Sequence, residues 1–449
     1  MQFILPQEVK DIIAIFEKNG YEAYVVGGAV RDLLMGKAVI DWDFTTNAKP
    51  EEIISLFDEA FYNNKFGTVG VKAKNADFKP HEITTFRKEF GYSDRRRPDK
   101  VEWGNSLEED LMRRDFTVNA MALKVKGKKD YEIIDPHMGQ KDLDKKLIRA
   151  VGDPVERFNE DALRMMRAVR FAAELNFKIE KKTLEAMKTH APSINAVAKE
   201  RIGAEFMKIM ASPHPHEGIL LFRKSALMRE VLPELEGSFE VDQVSVARHH
   251  IYDVGTHLVM SLKAAGSADP VVRLAVLMHD IGKPETYKKR DEIITFYNHE
   301  VVGARMAKRI AQRLRLPKKD IDRLWILVRH HQFTVDENQS DSSLRRFIRK
   351  VGIENVEDML ELRRADRIGS GARETSWRTE EFKKRLIEVQ KQPFSVRDLK
   401  ITGNDVMREL GISPGPKVGE VLGRLFDEVE AKNLPNEQEA LLARLKELK

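Results

Sequence analysis

Residues 25–46 read VVGGAVRDLLMGKAVIDWDFTT, and the fold class turns on this stretch. EAYVVGG (22–28) is an apolar run closed by a glycine pair, the pattern of a buried strand that turns at Gly27 and Gly28. A helical segment with Arg31 on its first turn follows, then Asp41 and Asp43 flanking Trp42 in a segment that reads as a strand. Alternation along a strand sends both carboxylates to one face. Carboxylates so close repel each other unless a cation lies between them, so the pair suits Mg²⁺ holding a nucleoside triphosphate. The glycines let backbone N–H groups approach phosphate oxygens, and Arg31 adds charge where the helix begins.

Outward from that stretch, residues 1–150 alternate strand and helix signals. Val9, Ile12, Ile13 and Phe16 mark an amphipathic first helix. TVGVKAK (68–74) and HEITTFR (81–87) read as strands, and Ser106 with Glu109 has the spacing of a capping box opening the helix SLEEDLMRR (106–114). From Phe158 onward strand signals nearly vanish. FNEDALRMMRAVRFAAEL (158–175) predicts one helix capped by Asn159, and helical patterns run to about 390, broken at SPHPHEG, AAGSADP and RLPKKD. QPFSVRDLKITGND (392–405) reads as a linker into a small helical tail. The fold class is α+β, with parts at 1–150, 151–215, 216–390 and 391–449.

The 449 residues suggest about three domains of ordinary size. There is no cysteine, so a metal must be held by histidine and carboxylate. Lys plus Arg total 77 against 72 Asp plus Glu, a net charge of +5 that tilts only slightly toward nucleic acid. No apolar run is long enough to cross a membrane, and MQFILPQEVKDII lacks the basic start of a signal peptide. The expectation is a cytoplasmic protein with no membrane partner.

GGAVRDLLMG and DWDF are followed in order by EEDLMRRDFTVNAMA (108–122), DPHMGQKDL (135–143), RFNEDALRMMRAVRFA (157–172) and KERIGAEFMKIM (199–210). This series resembles the class II tRNA nucleotidyltransferase and bacterial poly(A) polymerase family, within the polymerase β superfamily. The C-terminal half resembles the longer CCA-adding members that carry an HD domain. The resemblance implies a polymerase β-type nucleotidyltransferase head with a mixed sheet, then an all-helical neck, HD body and tRNA-binding tail. It implies addition of C, C and A to the 3′ end of tRNA from CTP and ATP, with Mg²⁺ on the catalytic Asp41 and Asp43. It places Gly28, Arg31, Arg114, Asp115, Asn119, Arg167 and Arg170 at the nucleotide. Glu82 is either a third carboxylate or an exposed or structural glutamate.

Asp161 and Arg164 are three apart in a helical pattern and so share a face; by spacing alone they are also an ordinary surface ion pair. The resemblance implies that they read the base. Cytosine and adenine each offer an exocyclic amine beside an unprotonated ring nitrogen, which a carboxylate and a guanidinium match; uracil and guanine present the reverse. FRKEFGYSDRRRPDKVEW (86–103) reads as a long mobile loop carrying Arg95–Arg97, which in CCA-adding members helps the switch from C to A. NNKFGTVGV (63–71) stands where poly(A) polymerases carry a GRRF-type stretch. An A-adding enzyme or a poly(A) polymerase are the nearest rivals. From other classes come an HD phosphohydrolase with an RNA-holding head and a nonenzymatic tRNA-binding module, and the intact Asp41 and Asp43 weigh against both.

In the second half His257, HDIGK (279–283) and Asp366 in RRADRIG give the order H…HD…D, that of the HD phosphohydrolase superfamily. His257, His279, Asp280 and Asp366 are expected to bind a divalent metal of undetermined identity, with His299, His330 and also His331 near a second position. The resemblance implies phosphomonoesters or 2′,3′-cyclic phosphates as substrates, and a purely structural body is the alternative. In the tail, Gly411, Gly415, Gly419 and Gly423 recur every four residues and Pro416 is expected to start a helix. Either that helix start meets a phosphate near Lys417, or the glycines let helices pack closely.

Overall fold

The computed structural model describes residues 4–64, 67–90, 100–104, 106–127, 130–243, 251–291, 293–333, 335–336, 339–374, 377–390, 396–431 and 433–448. The chain forms two compact units. The first is Met1–Val241 with Ala268–Arg273 and Arg309–Lys318; the second is Asp242–Ser267, Leu274–Lys308 and Lys319–Lys449.

The first unit is built on strands β1 (Ala23–Val26), β2 (Asp43–Thr46), β3 (Ala60–Asn64), β4 (Thr68–Val71), β5 (His81–Thr85), β6 (Arg87–Phe90), β7 (Lys100–Trp103), β8 (Ala122–Val125) and β9 (Tyr131–Ile134). Seven of them make one mixed sheet, ordered β3-β4-β5-β2-β1-β8-β9, in which only β2 and β5 run parallel. Helix α1 (Gln7–Lys18) buries Val9, Ile12, Ile13 and Phe16 in a core shared with Val25, Trp42, Phe44 and Ile83. Trp42 and Phe44 are each 1% exposed. Period-2 alternation therefore turns Asp41 and Asp43 away from that core, although Asp41 stands just before the strand proper. Helix α2 (Gly28–Leu34) leaves the end of β1 directly. Helices α3 (Pro50–Leu56), α4 (Leu107–Met112), α5 (Gly139–Asp144), α6 (Pro154–Glu160) and α7 (Leu163–Leu175) follow.

Several local expectations need correction. Ser106 precedes α4 but makes no capping bond; its hydroxyl donates to Glu108 Oε2 at 2.5 Å, a nearer acceptor than the backbone. Residues 158–175 are not one helix, and Asn159 lies inside α6. The cap of α6 is Asp153, whose carboxylate accepts from the Val155 N–H, with Pro154 at the first helical position. The chain breaks at Asp161, where φ is −145° and ψ 105°, because its Oδ1 takes the Leu163 N–H at 3.0 Å and so offers the backbone an alternative to the helix. The ends of the expected loop 86–103 are the paired strands β6 and β7; residues 91–99, with Arg95–Arg97, lie outside the described residues.

The later part is not wholly helical. Short strands β10 (Leu147–Ile148) and β11 (Lys178–Ile179) pair in parallel, and β12 (Lys288–Arg290) and β13 (Ile293–Thr295) form a hairpin. Runs of two or three residues lie below what periodicity can detect. The tail has its own core of Leu399, Ile401, Val406, Leu425, Phe426, Val429, Leu441 and Leu445. Pro416 does begin the helix Pro416–Glu430. Close packing through the tail glycines is overturned: a side chain at Gly411, Gly415, Gly419 or Gly423 would meet nothing within 4 Å. Among the described residues no helix is long and apolar enough to cross a membrane.

Candidate functional site

The carboxyl end of β1 opens into a cleft of about 720 Å³. Gly27 turns the chain there at φ +72°, and a Cβ on it would sit 3.1 Å from Arg114 Nη1 and 3.6 Å from Asp43 Oδ2. Both the backbone angle and the space therefore call for glycine. Sheet register sets Asp43 beside Val26 on one side and Glu82 on the other. Glu82 is exposed, on the strand that runs parallel to β2, so Asp41, Asp43 and Glu82 form one acidic edge of the cleft. Burial, followed by the Asp41 charge, raises the Asp43 carboxyl to about 6; Arg114 pulls the other way, and Glu82 adds to the rise. Lys79 Nζ lies 2.6 Å from Asp41 Oδ2, a protein cation at the place a metal would take. Clustered carboxylate oxygens fit a hard divalent ion.

Eight arginines among the described residues line the same cleft. Arg31, 8% exposed, donates from Nη1 to Asn119 Oδ1 at 2.7 Å and from Nε to Asp32 Oδ1 at 2.9 Å. Arg167 donates from Nε to Asp115 Oδ2 at 2.7 Å. Burial alone would raise the Asp115 carboxyl, but Arg167 and Arg164 hold it below the usual range. Arg170 pairs with Glu205 at 3.0 Å, and Arg113 and Arg114 share Asp110. Arg31, Arg167 and Arg170 all lie over the Phe171 ring, at 5.6, 5.4 and 4.3 Å from its centroid. Asp115 and Asn119 thus have protein partners: they fix the directions in which Arg167 and Arg31 point. Phe171, Asp110 and Glu205 were not singled out from sequence, since a partner that braces an arginine has no spacing signature.

Asp161 and Arg164 both line this cleft but do not pair with each other, so the surface ion pair allowed by their spacing is not formed. Arg164 bonds to Glu160 at 2.5 Å and to the Arg113 carbonyl at 3.1 Å. Asp161 is held by Arg201, Nη2 to Oδ2 at 2.7 Å. Arg201 sits 40 residues away on the helix Lys199–Ala211, within the motif KERIGAEFMKIM. Each side chain is thus held by partners of its own, Asp161 by Arg201 and Arg164 by Glu160 and the Arg113 carbonyl.

A second constellation lies in the second unit. His257 Nε2 and His279 Nε2 are 3.1 Å apart, and Asp280 Oδ2 and Asp366 Oδ1 lie 3.3–3.5 Å from them. The other oxygen, Asp280 Oδ1, is 3.0 Å from His299 Nε2 and 3.5 Å from His331 Nε2. Ligands around a metal at about 2.1 Å stand about 3.0–3.4 Å from one another, the spacing found here. His279, His299 and His331 turn Nδ1 to the carbonyls of Val276, Phe296 and Val328 at 2.7–2.8 Å. Those bonds fix the tautomer whose Nε2 lone pairs point inward, the outer support typical of metal-binding imidazoles. Burial disfavours a charged His279, yet Asp280 and Asp366 raise it to about 10.

Asp366 reaches this cluster because the helix Val356–Gly369 lies tight against Val254–Ala264: a Cβ on Gly369 would collide with Ser261. His330 is not brought in. The helix Lys318–His330 ends between the two, and it is His331, just past the helix, that faces the cluster, while His330 stands edge-on to Trp325. Lys283, the last residue of HDIGK, joins the cluster from beside Asp280. It is 4% exposed, with Nζ 2.5 Å from Asp280 Oδ2 and 2.7 Å from Gln243 Oε1.

Residues 23–149 match the family described as "Poly A polymerase head domain". Residues 176–238 match "Probable RNA and SrmB- binding site of polymerase A", and 287–445 match "tRNA nucleotidyltransferase domain 2 putative". The CCA-adding enzyme of Ligilactobacillus salivarius is 33% identical across 99% of this chain and 98% of its own. That of Pediococcus pentosaceus is 34% identical across 98% of each. The crystal structure of the Bacillus stearothermophilus CCA-adding enzyme in complex with CTP superposes with a TM-score of 0.73 at 28% identity, covering 99% of this chain and 98% of that one. With the acidic edge and the arginine wall in the one cleft, and with relatives aligned over nearly its full length, the chain belongs to the CCA-adding enzyme and poly(A) polymerase family.

Proposed function

We propose that the chain adds C, C and A to the 3′ end of tRNA, taking CTP and ATP in turn in the cleft at the end of β1. The observation that carries this reading is the meeting of three carboxylates, an arginine wall and the separately braced Asp161 and Arg164 around one cavity. Asp41 and Asp43, with Glu82 beside them, would hold divalent metal, Mg²⁺ by its preference for oxygen donors; when bound it offsets triphosphate charge and acidifies the tRNA 3′ hydroxyl. Gly27 and Gly28 open the backbone to phosphate, and Arg31 and Arg114 supply positive charge beside it. Asp161 accepts from the base amine and Arg164 donates to the adjacent ring nitrogen, so the protein acts as the template. Arg201 aims the first of these and Glu160 the second. Arg167 and Arg170, held over Phe171, complete the nucleotide pocket. The chain divides into head (1–150), base-reading neck (151–215), body (216–390) and tRNA-facing tail (391–449).

The test is a tRNA that ends before CCA, incubated with CTP, with ATP and with both. Two C and one A followed by arrest is the expected product. A long A ladder indicates a poly(A) polymerase, and failure to use CTP indicates an A-adding enzyme.

The second constellation supports an additional reading, phosphoester hydrolysis. His257, His279, Asp280 and Asp366 would hold one divalent ion, and Asp280, His299 and His331 a second, with Asp280 shared. Imidazole and carboxylate suit Mn, Fe, Ni, Zn or Mg. A bound ion would supply a water acidified to near neutrality. Lys283 sits against Asp280, where a substrate phosphate would need a cation.

A further inference from the structure

The hairpin β12–β13 interrupts the helical body between two residues that both touch Asp280: Lys283 before it and His299 after it. Its register is Lys288↔Thr295, Lys289↔Ile294 and Arg290↔Ile293. Ile294 is 6% exposed, so alternation turns Lys288, Arg290, Ile293 and Thr295 to the opposite, outer face. Lys288, Lys289 and Arg290 are all exposed, Ile293 is 63% exposed, and Tyr297, two residues beyond β13, is 76% exposed. Behind this face Phe296 is buried, edge-on to Tyr287 at 5.8 Å and 5.4 Å from Lys283 Nζ. The hairpin is thus braced on the metal-ligating cluster, while its outer face leaves apolar, aromatic and cationic groups in water.

Folding does not ask for that composition, since an exposed isoleucine and tyrosine gain nothing by it. Single-stranded nucleic acid does: phosphates along the cations, a base on the aromatic ring. An anionic membrane would also attract the cations, but two three-residue strands leave one isoleucine and one tyrosine exposed, too little apolar area to insert into lipid, whereas a single ring is enough to stack a base. We propose that the outer face of this hairpin binds a single-stranded RNA end and leads its terminal phosphoester to the Asp280 cluster. The proposal rests on the hydrolytic reading of that cluster for its destination, though not for the binding itself.

The experiment uses the full chain and a short single-stranded RNA carrying 4-thiouridine and a 2′,3′-cyclic phosphate. On irradiation, cross-links are expected within residues 288–297, and the combined variant Lys288→Gln, Arg290→Gln, Tyr297→Ala should lose them. That variant should hydrolyse the RNA about tenfold more slowly, with p-nitrophenyl phosphate hydrolysis unchanged, while Tyr297→Phe keeps both. Absence of cross-links in 288–297 overturns the proposal. So does an equal loss on both substrates, which would make the hairpin a brace for the metal site. So does variant-sensitive co-sedimentation with phosphatidylserine vesicles in place of the cross-links. If the unaltered chain cleaves neither ester with Mn²⁺, Ni²⁺ or Mg²⁺, the hydrolytic reading fails, and the cross-links still decide whether the hairpin holds RNA.

Discussion

Asp43 combines two demands that conflict. Its carboxyl is raised to about 6 by burial and then by Asp41, with Glu82 adding to the rise, against an unfolded value of about 3.9. A group whose folded pKa exceeds its unfolded one favours the fold fully below the lower value, and that contribution is lost as pH rises through the higher. At pH 7 the metal-free protein therefore carries a penalty on the order of 2–3 kcal/mol at this one residue. Asp43→Asn, which cannot ionise, should stabilise the metal-free chain by up to about that amount at pH 7.5 and hardly at all at pH 4. It should also abolish nucleotide addition and leave tRNA affinity nearly unchanged, since basic residues dominate RNA binding. Denaturant titrations at the two pH values check the first part; an equal shift at both would contradict it. Asp161→Ala should loosen discrimination against UTP and GTP by about ten- to a hundredfold, the loss of one charged hydrogen bond. Arg201→Ala should move selectivity the same way, less far, because the carboxylate stays but loses its aim. The ratio of UTP to CTP incorporation measures both, and an unchanged ratio in Asp161→Ala makes the residue a helix cap only. Asp41 and Asp43 were legible in the sequence because a period of two is a local property. The Asp161–Arg201 pair was not, because 40 residues separate its members and only the packed fold brings them together.

At the scale of elements, periodicity located the long segments and missed their punctuation. The helix expected over 158–175 is two helices, since one carboxylate, that of Asp161, satisfies a backbone N–H that an unbroken helix would have used otherwise. The strands β6 and β7 read as a loop because charge dominates their composition, and β12–β13 is too short to register at all. Glycines carried opposite meanings that sequence spacing could not separate. Those at 415, 419 and 423 face open space, whereas Gly369 lies where its helix touches Ser261. Gly369→Ala should therefore cost about 1–3 kcal/mol by overpacking. It should also draw Asp366, one turn earlier on the same face, away from His257 and His279. Gly419→Ala, on an exposed helical face, should instead gain up to about 1 kcal/mol. Thermal denaturation of the two variants, with divalent-metal binding by calorimetry, compares them. Unaltered metal affinity in Gly369→Ala would show that the close helix contact does not set the position of Asp366.

For the whole molecule, the two constellations share neither residues nor a compact unit: the cleft is built from residues 26–201 in the first unit, and the histidine cluster from residues of the second. Their chemistries differ accordingly. The cleft offers oxygen donors and arginines, suited to a magnesium nucleotide; the cluster offers imidazoles with fixed tautomers, suited to a transition metal. Activities carried by independent sites separate by single substitutions. Asp280→Ala removes the shared carboxylate from both triads, so it should abolish phosphoester hydrolysis and metal retention while CCA addition continues at its original rate. Asp41→Ala should do the reverse. Because Asp280 is buried among His257, His279, His299 and Lys283, its removal leaves cationic groups facing one another, and Asp280→Asn serves as the less disruptive companion. Metal content of the purified chain, nucleotide incorporation into tRNA and hydrolysis of a 2′,3′-cyclic phosphate, measured on the same preparations, give three readouts per variant. Loss of CCA addition in Asp280→Asn with the fold intact would mean that the two sites are coupled. A chain that retains no metal and cleaves no ester would make the second constellation a structural arm, held together by protonated histidine where a metal was expected.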